Sequence, residues 1–249
     1  MNISVFNPVW CCVIALAPIF ILAVTFASRQ KTDAQKQRFL VRLSLVTLLL
    51  LVVYKIWLLI DPTYETSIWE ELPLNLCNLA TLLMVPAVRR NSRLLKAFLY
   101  YCAPLGAIMA LVMPSEGFYD VPVYLLRCIG YWISHLLVLI VPILLVTLGS
   151  YRPRFRDIPA ALLLLLGLAL VAHGANCIIR PSICPETNFF FTFGIDGNPV
   201  TGLLMQLIPI PFVYLLPMLL PLAAVDCGLC ALAGGSRKKA KTDFRKEIF

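Results

Sequence analysis

"FLVRLSLVTLLLLVVYKIWLLI", Phe39 to Ile60, carries two basic residues and no acidic one. Spanning a bilayer takes roughly 20 apolar residues at about 1.5 Å of rise each. This block meets that length, and it is one of seven. The others run over Val9–Ala27, Leu72–Val88, Leu94–Met113, Pro122–Leu148, Ile158–Ile178 and Pro209–Leu232. Together they make the chain 60% hydrophobic, with a charged share of 14%, where a soluble domain is about a quarter charged. The fold expected is all-α: a polytopic, seven-helix transmembrane bundle over residues 1–233, followed by a basic tail, 234–249. Eighteen prolines fit a membrane bundle when neighbouring helices or cavity water satisfy the carbonyls they free. Met1 to Pro8 lacks a basic region, and bases rather than a small-residue cleavage site follow the first block, which argues against a cleaved signal peptide.

The loops alternate in charge. Arg29, Lys31, Lys36 and Arg38 follow the first block, and Asp61, Glu65, Glu70 and Glu71 follow the second. Arg89, Arg90 and Arg93 come next, then Glu116 and Asp120, then Arg152, Arg154 and Arg156. The sixth loop sets Arg180 against Glu186 and Asp196, and the tail carries bases from Arg237 to Lys246. The positive-inside rule then puts the N-terminus outside and the C-terminus in the cytoplasm. The net charge of +8 is accounted for by these orientation signals and by contacts to anionic lipid heads. No nucleic-acid motif is present. The chain is expected to be an integral, multi-pass protein of a bacterial plasma membrane or a eukaryotic endomembrane.

Two features at the outer side break the pattern. "TNFFFTFG", Thr187 to Gly194, is too aromatic for a free loop and is expected to fold back over the bundle or lie at the interface. The last block holds Pro209, Pro211, Pro217 and Pro221, so a straight helix is not expected there. Nine cysteines exclude a complete set of intrachain disulfides, although Cys177 and Cys184 flank the outer loop and could pair. Cys227 and Cys230 read as packing or acylation residues rather than a redox pair.

Polar groups inside spans mark sites. In "ELPLNLCNL", Glu71 to Leu79, the residues Glu71, Asn75 and Asn78 have i, i+4, i+7 spacing, which on a helix makes one face with Cys77 beside it. Arg127, Tyr131 and His135 repeat at four-residue intervals in the fifth block. Cys77 is 11 residues from Val88 and His135 is 13 from Leu148, depths of roughly 16 and 20 Å. A Cys and a His at one depth can act as nucleophile and base; equally, each can be a packing or helix-bridging residue. Lys55 reads as snorkelling to the outer surface. Arg127 reads as a partner of Glu70 and Glu71 or as a lipid-phosphate site. His173 and Asn176 share a face near the outer end of the sixth block, where they could line the cavity mouth, bind a headgroup or bridge helices. The only other histidine is His173, and no metal-ligand spacing occurs, so neither a metal nor a cofactor is expected.

"ELPLNLCNLATLL" (Glu71–Leu83), "YYCAPLGAIMALVMP" (Tyr100–Pro114), "YWISHLLVLIVPIL" (Tyr131–Leu144) and "TNFFFTFGIDGNPVTGLLMQLIPIPFVYLLPML" (Thr187–Leu219) together resemble the YwaF family of integral membrane proteins, which includes animal transmembrane protein 164. The resemblance implies an acyltransferase that moves fatty acyl chains between glycerophospholipids. It implies a catalytic cysteine and histidine at Cys77 and His135, with phospholipid and lysophospholipid as partners. Asn188 matches the family's last motif. The sequence departs from it at Phe189, where the family carries Tyr, and in having no Lys before Pro199. On this reading Asn75 and Asn78 would support the oxyanion and Arg127 would bind a lipid phosphate. The alternatives are a lipid hydrolase using the same pair, a transporter or lipid-binding protein without covalent chemistry, and a thiol–disulfide enzyme pairing Cys77 with Cys102 or Cys128.

Overall fold

A computed structural model describes residues 2–115, 117–194 and 199–246, with side chains through residue 234 apart from that of Pro199. Glu116, Asp196, the position before Pro199 and the side chains of the basic tail lie outside the described residues. The architecture is all-α and polytopic. Among the described residues, six helices are long and apolar enough to cross a membrane, and a seventh apolar helix is shorter. They are α1 (Pro8–Ala27), α2 (Asp33–Ile60), α3 (Leu76–Arg89), the pair α4 (Arg93–Tyr101) and α5 (Ala103–Val112), α6 (Leu126–Thr147) and α7 (Ile158–Ser182), then α8 (Pro199–Leu207) and α9 (Leu219–Lys246).

Local chemistry explains most boundaries. Asn7 caps α1 by accepting the Trp10 N–H, with Pro8 at the first helical position. Thr32 and Gln35 form a reciprocal capping box at the start of α2. Four expected spans are corrected. The third begins at Leu76, not Leu72, because Pro73 cannot donate a helical hydrogen bond and disfavours helix at the residue before it. The fourth breaks at Cys102, since Pro104 lacks the N–H that would reach the Tyr100 carbonyl. The fifth starts at Leu126, because Val121 and Pro122 pair as a short strand, β2, with β1 (Asn2–Ile3). The seventh opens with a 3-10 segment, Val213–Met218, and becomes α-helical only at Leu219, as its prolines require.

Helix α6 is the central element by its packing, and with the α4–α5 pair it is the most buried of the spans, whereas α1 is the least buried. It packs against α1, α2, α3, α4 and α5. Gly130 lets α2 come close, because a Cβ there would overlap the Tyr54 ring. Large apolar side chains such as Leu49, Val53, Leu163 and Leu170 are exposed around the bundle, as a lipid-facing surface requires.

The loops sort onto two ends. At the basic end, Arg93 chelates Asp157 at 2.9 and 2.5 Å, and Tyr151 donates to the same carboxylate at 2.9 Å. Lys96, 1% exposed, donates to Asn91 Oδ1 at 2.5 Å and to the Ser150 carbonyl and hydroxyl at 3.0 and 2.8 Å. Three acceptors meet the three donors of its ammonium. At the acidic end, Asn2 and Ser4 bind Asp120, and Trp10 Nε1 donates to the Leu111 carbonyl at 2.9 Å. Charge alternation makes the first end cytoplasmic and the second external.

Replacing Gly130 with Val should lower stability by about 1–3 kcal/mol through overpacking against Tyr54. Thermal unfolding in detergent measures it, and an unchanged midpoint would contradict the close α2–α6 approach.

Candidate active site

The late start of α3 changes the setting of Cys77. With Asn75 as N-cap, Cys77 is the second helical residue. Glu71 and Asn75 therefore precede the helix and do not share a helical face with Asn78, as the spacing had suggested. The first intrahelical bond is Leu79 N–H to the Asn75 carbonyl, at 2.9 Å. Among the described residues, the N–H groups of Leu76, Cys77 and Asn78 meet no acceptor. Helix N-termini leave such donors free and carry partial positive charge. Fourteen residues extend only about 21 Å, less than the ~30 Å hydrocarbon core, so this N-terminus lies within the membrane.

Helices α5 and α6 complete the surroundings. A Cβ on Gly106 would stand 3.7 Å from Cys77 Sγ and 2.7 Å from Leu76 Cδ2, so the bare backbone of α5 seats the sulfur. Tyr131, buried on α6, lies within electrostatic reach of Cys77. Its ring is 4.3 Å from that of His135 and stacks on Phe118 at 4.5 Å, while its hydroxyl donates to the Ala110 carbonyl at 2.8 Å. His135 Nδ1 donates to the Tyr131 carbonyl at 2.8 Å. A carbonyl only accepts, so in the neutral ring Nε2 carries the lone pair. Among the described residues no hydrogen bond joins Cys77 to His135; Tyr131 is their shared neighbour.

The other candidates do different work. Lys55 forms an ion pair with Glu71 at 2.5 Å, which replaces the expected snorkelling. Lys55 also lies within electrostatic reach of His135. The pair lines a half-open groove of about 260 Å³ between α2 and the chain before α3, walled by Leu51, Val52, Ile56 and Ile68. Arg127 does not bind Glu70 or Glu71. It pairs with Asp61 at 3.4 Å, donates to the Gly117 and Thr63 carbonyls at 3.1 and 3.2 Å, and bonds the Thr63 hydroxyl. Buried and committed in this way, it clamps the outer loops rather than facing a ligand. Burial alone would raise the Asp61 carboxyl, but bonds from Thr63 and Arg127 outweigh it and hold the group below its ordinary value.

His173, Asn176 and Asn188 hold the aromatic loop. Asn176 donates to the Phe189 carbonyl at 2.8 Å and to Thr192 Oγ1 at 2.9 Å, and accepts the Phe189 N–H at 2.9 Å. His173 meets Thr192 at 2.9 Å, and Asn188 spans its own loop to Phe193 and Gly194. Phe189 is thereby buried against Ala172, Ile179 and Cys184, which is the folding-back expected of this loop. Asn75 Oδ1 accepts the Phe190 N–H at 3.0 Å and fastens the loop to the start of α3. Cys184 contacts Ser67 and Cys177 contacts His173, so the two are not joined to each other. Cys102 faces the Ala161 carbonyl at 3.8 Å and Cys77 is a free thiol, giving no support to a dithiol site.

The family model for the TMEM164 family matches residues 3–227. The chain belongs to the TMEM164 family. No curated protein and no solved structure matches it. The match takes in every stretch that carried the resemblance, including Cys77, Gly106 and His135. Gly106 and the three free N–H groups were not singled out from sequence. Pro73 followed by Asn75 was the available signal, since Asn favours an N-cap and Pro excludes helix before it.

Two outcomes follow from this geometry. The Arg127–Asp61 clamp should contribute its full stability above the ordinary carboxylate value of 3.8 and lose it as pH falls below that. Melting against pH should show that acid limb in wild type and not in Arg127→Gln. Gly106→Val should press a branched side chain onto Leu76 and Cys77 Sγ. Alkylation of Cys77 by a lipid-soluble maleimide, followed by peptide mass mapping, should slow several-fold; an unchanged rate would contradict the seat on α5.

Proposed function

We propose that this protein is a membrane-embedded acyltransferase that moves fatty acyl chains between glycerophospholipids through a thioester on Cys77, with His135 as the base. The observation that carries the reading is the place of Cys77 in the first turn of α3, beside three N–H groups that meet no acceptor among the described residues. A thiol there has a positively polarised environment. The same donors suit the oxyanion that forms when a thiolate adds to an ester carbonyl.

His135 Nε2 takes the thiol proton, and Sγ forms a bond to the carbonyl carbon of the donor ester. The oxyanion rests on the N–H groups of Leu76 to Asn78. The ester C–O bond then breaks, and the lysolipid alkoxide leaves with the proton from His135. An acceptor lysolipid hydroxyl gives its proton to His135 and attacks the thioester. The C–S bond breaks and the thiolate recovers the proton. Cys77 and His135 share Tyr131 as a neighbour, and the thiol–imidazole hydrogen bond would form in the reacting complex, where catalytic hydrogen bonds often tighten. The oxyanion role passes here from the Asn75 side chain, which holds Phe190, to the backbone. The groove beside Lys55 and Glu71 is walled by apolar residues, as an acyl chain requires. Lys55 and Glu71, and Arg127 and Asp61, pair with each other, so these four charges are not free to line a transport pathway.

Intact mass spectrometry after incubation with phospholipid tests the reading. Wild type should gain a hydroxylamine-sensitive acyl adduct, Cys77→Ala should gain none, and His135→Gln should acylate about 10²–10⁴-fold more slowly. An equal adduct on Cys77→Ala would overturn it.

A further inference from the structure

Asp226 lies in α9, well inside the span Val213–Gly234. It is 0% exposed, and neither carboxylate oxygen has a hydrogen-bond partner among the described residues. The other buried aspartates differ. Asp61 is met by Arg127 and Thr63, and Asp157 by Arg93 and Tyr151. Among the described residues no basic side chain acts on Asp226. The titratable groups that act on it are Tyr100 of α4 and Cys102 in the break after it, with Cys230 one turn on in α9. The α7 helix, which also packs on α9, supplies apolar Ala161 to this region.

A lone ionised carboxylate in such a place is so unfavourable that the group takes a proton instead. A metal cation does not fit, because hard cations need a shell of oxygen ligands and the neighbours are thiols and phenol rings.

We propose that Asp226 is a proton-binding site of the bundle, held as the neutral acid between α9 and the break separating α4 from α5. Its proton exchanges with bulk water. Losing it leaves an uncompensated charge and loosens α9 from the break, where the Tyr100 hydroxyl donates to the Leu229 carbonyl at 3.4 Å. The break also positions α5, whose Gly106 seats Cys77, so the state of Asp226 reaches the thiol through one helix. The site stands independently of the chemistry assigned to Cys77.

Infrared difference spectroscopy of the protein in bilayers at neutral pH, wild type minus Asp226→Asn, reads the proton directly. A deuterium-sensitive carbonyl stretch of a protonated carboxyl should appear in wild type, vanish in the variant, and persist in a Cys77→Ala background. Carboxylate bands alone would overturn the proposal. Because the folded state keeps a proton that the unfolded chain releases, the wild-type melting temperature should fall as pH rises, and that of Asp226→Asn should not. Identical pH profiles would also overturn it. If Asp226→Asn does not fold, Asp226→Glu should shift the frequency of the acid band, and an unmoved band would assign it elsewhere.

Discussion

Pro73 sets the position of everything at the outer half of the bundle. It cannot donate to a helix and it pushes Leu72 toward extended backbone. The chain therefore enters the membrane in a series of bends from Leu72 to Asn75, with the Leu74 N–H on the Leu72 carbonyl, and turns helical only at Leu76. A helix that starts this deep leaves three donors in a low-dielectric medium, where unmet polar groups are costly. The fold surrounds that start rather than burying it in lipid. Lys55 binds Glu71 on one side, and Asn75 fastens the aromatic loop on the other. Gly106 brings α5 against the sulfur. The thiol and its N–H groups thus share a half-buried setting.

The remaining polar groups divide by task. Arg127, Asp61 and Thr63 tie the outer loops together, and Arg93, Asp157, Lys96 and Ser150 do the same at the cytoplasmic end. Each is satisfied within the protein, as the bilayer demands. Asn176, His173 and Asn188 are spent on one loop, so the family's outer motif is at least in part a folding device. Against this background Asp226, with no partner for either oxygen among the described residues, stands apart.

Much of this was legible in the sequence. Block lengths gave the spans, and loop charges gave the two ends, because hydrophobic length and charge bias act locally along the chain. Depth counting set Cys77 and His135 at one level; in the structure both neighbour Tyr131, with no hydrogen bond between them among the described residues. What escaped was set by proline and by distant partners. Spacing treated Glu71, Asn75 and Asn78 as one face, although Pro73 interrupts the helix. Arg127 was matched to the outer-loop acids Glu70 and Glu71 rather than to Asp61, because pairing across loops depends on how α2 and α6 cross. Gly106 gave no signal of its own, since a glycine that admits a neighbouring sulfur reads like any small residue in a span.

The most direct test of the account is acyl transfer in vesicles holding the purified protein, an isotope-labelled donor phospholipid and an unlabelled lysophospholipid. The account predicts that label moves into the lysolipid with wild type and stays on the donor with Cys77→Ser. Label reaching the lysolipid equally with both proteins would contradict it.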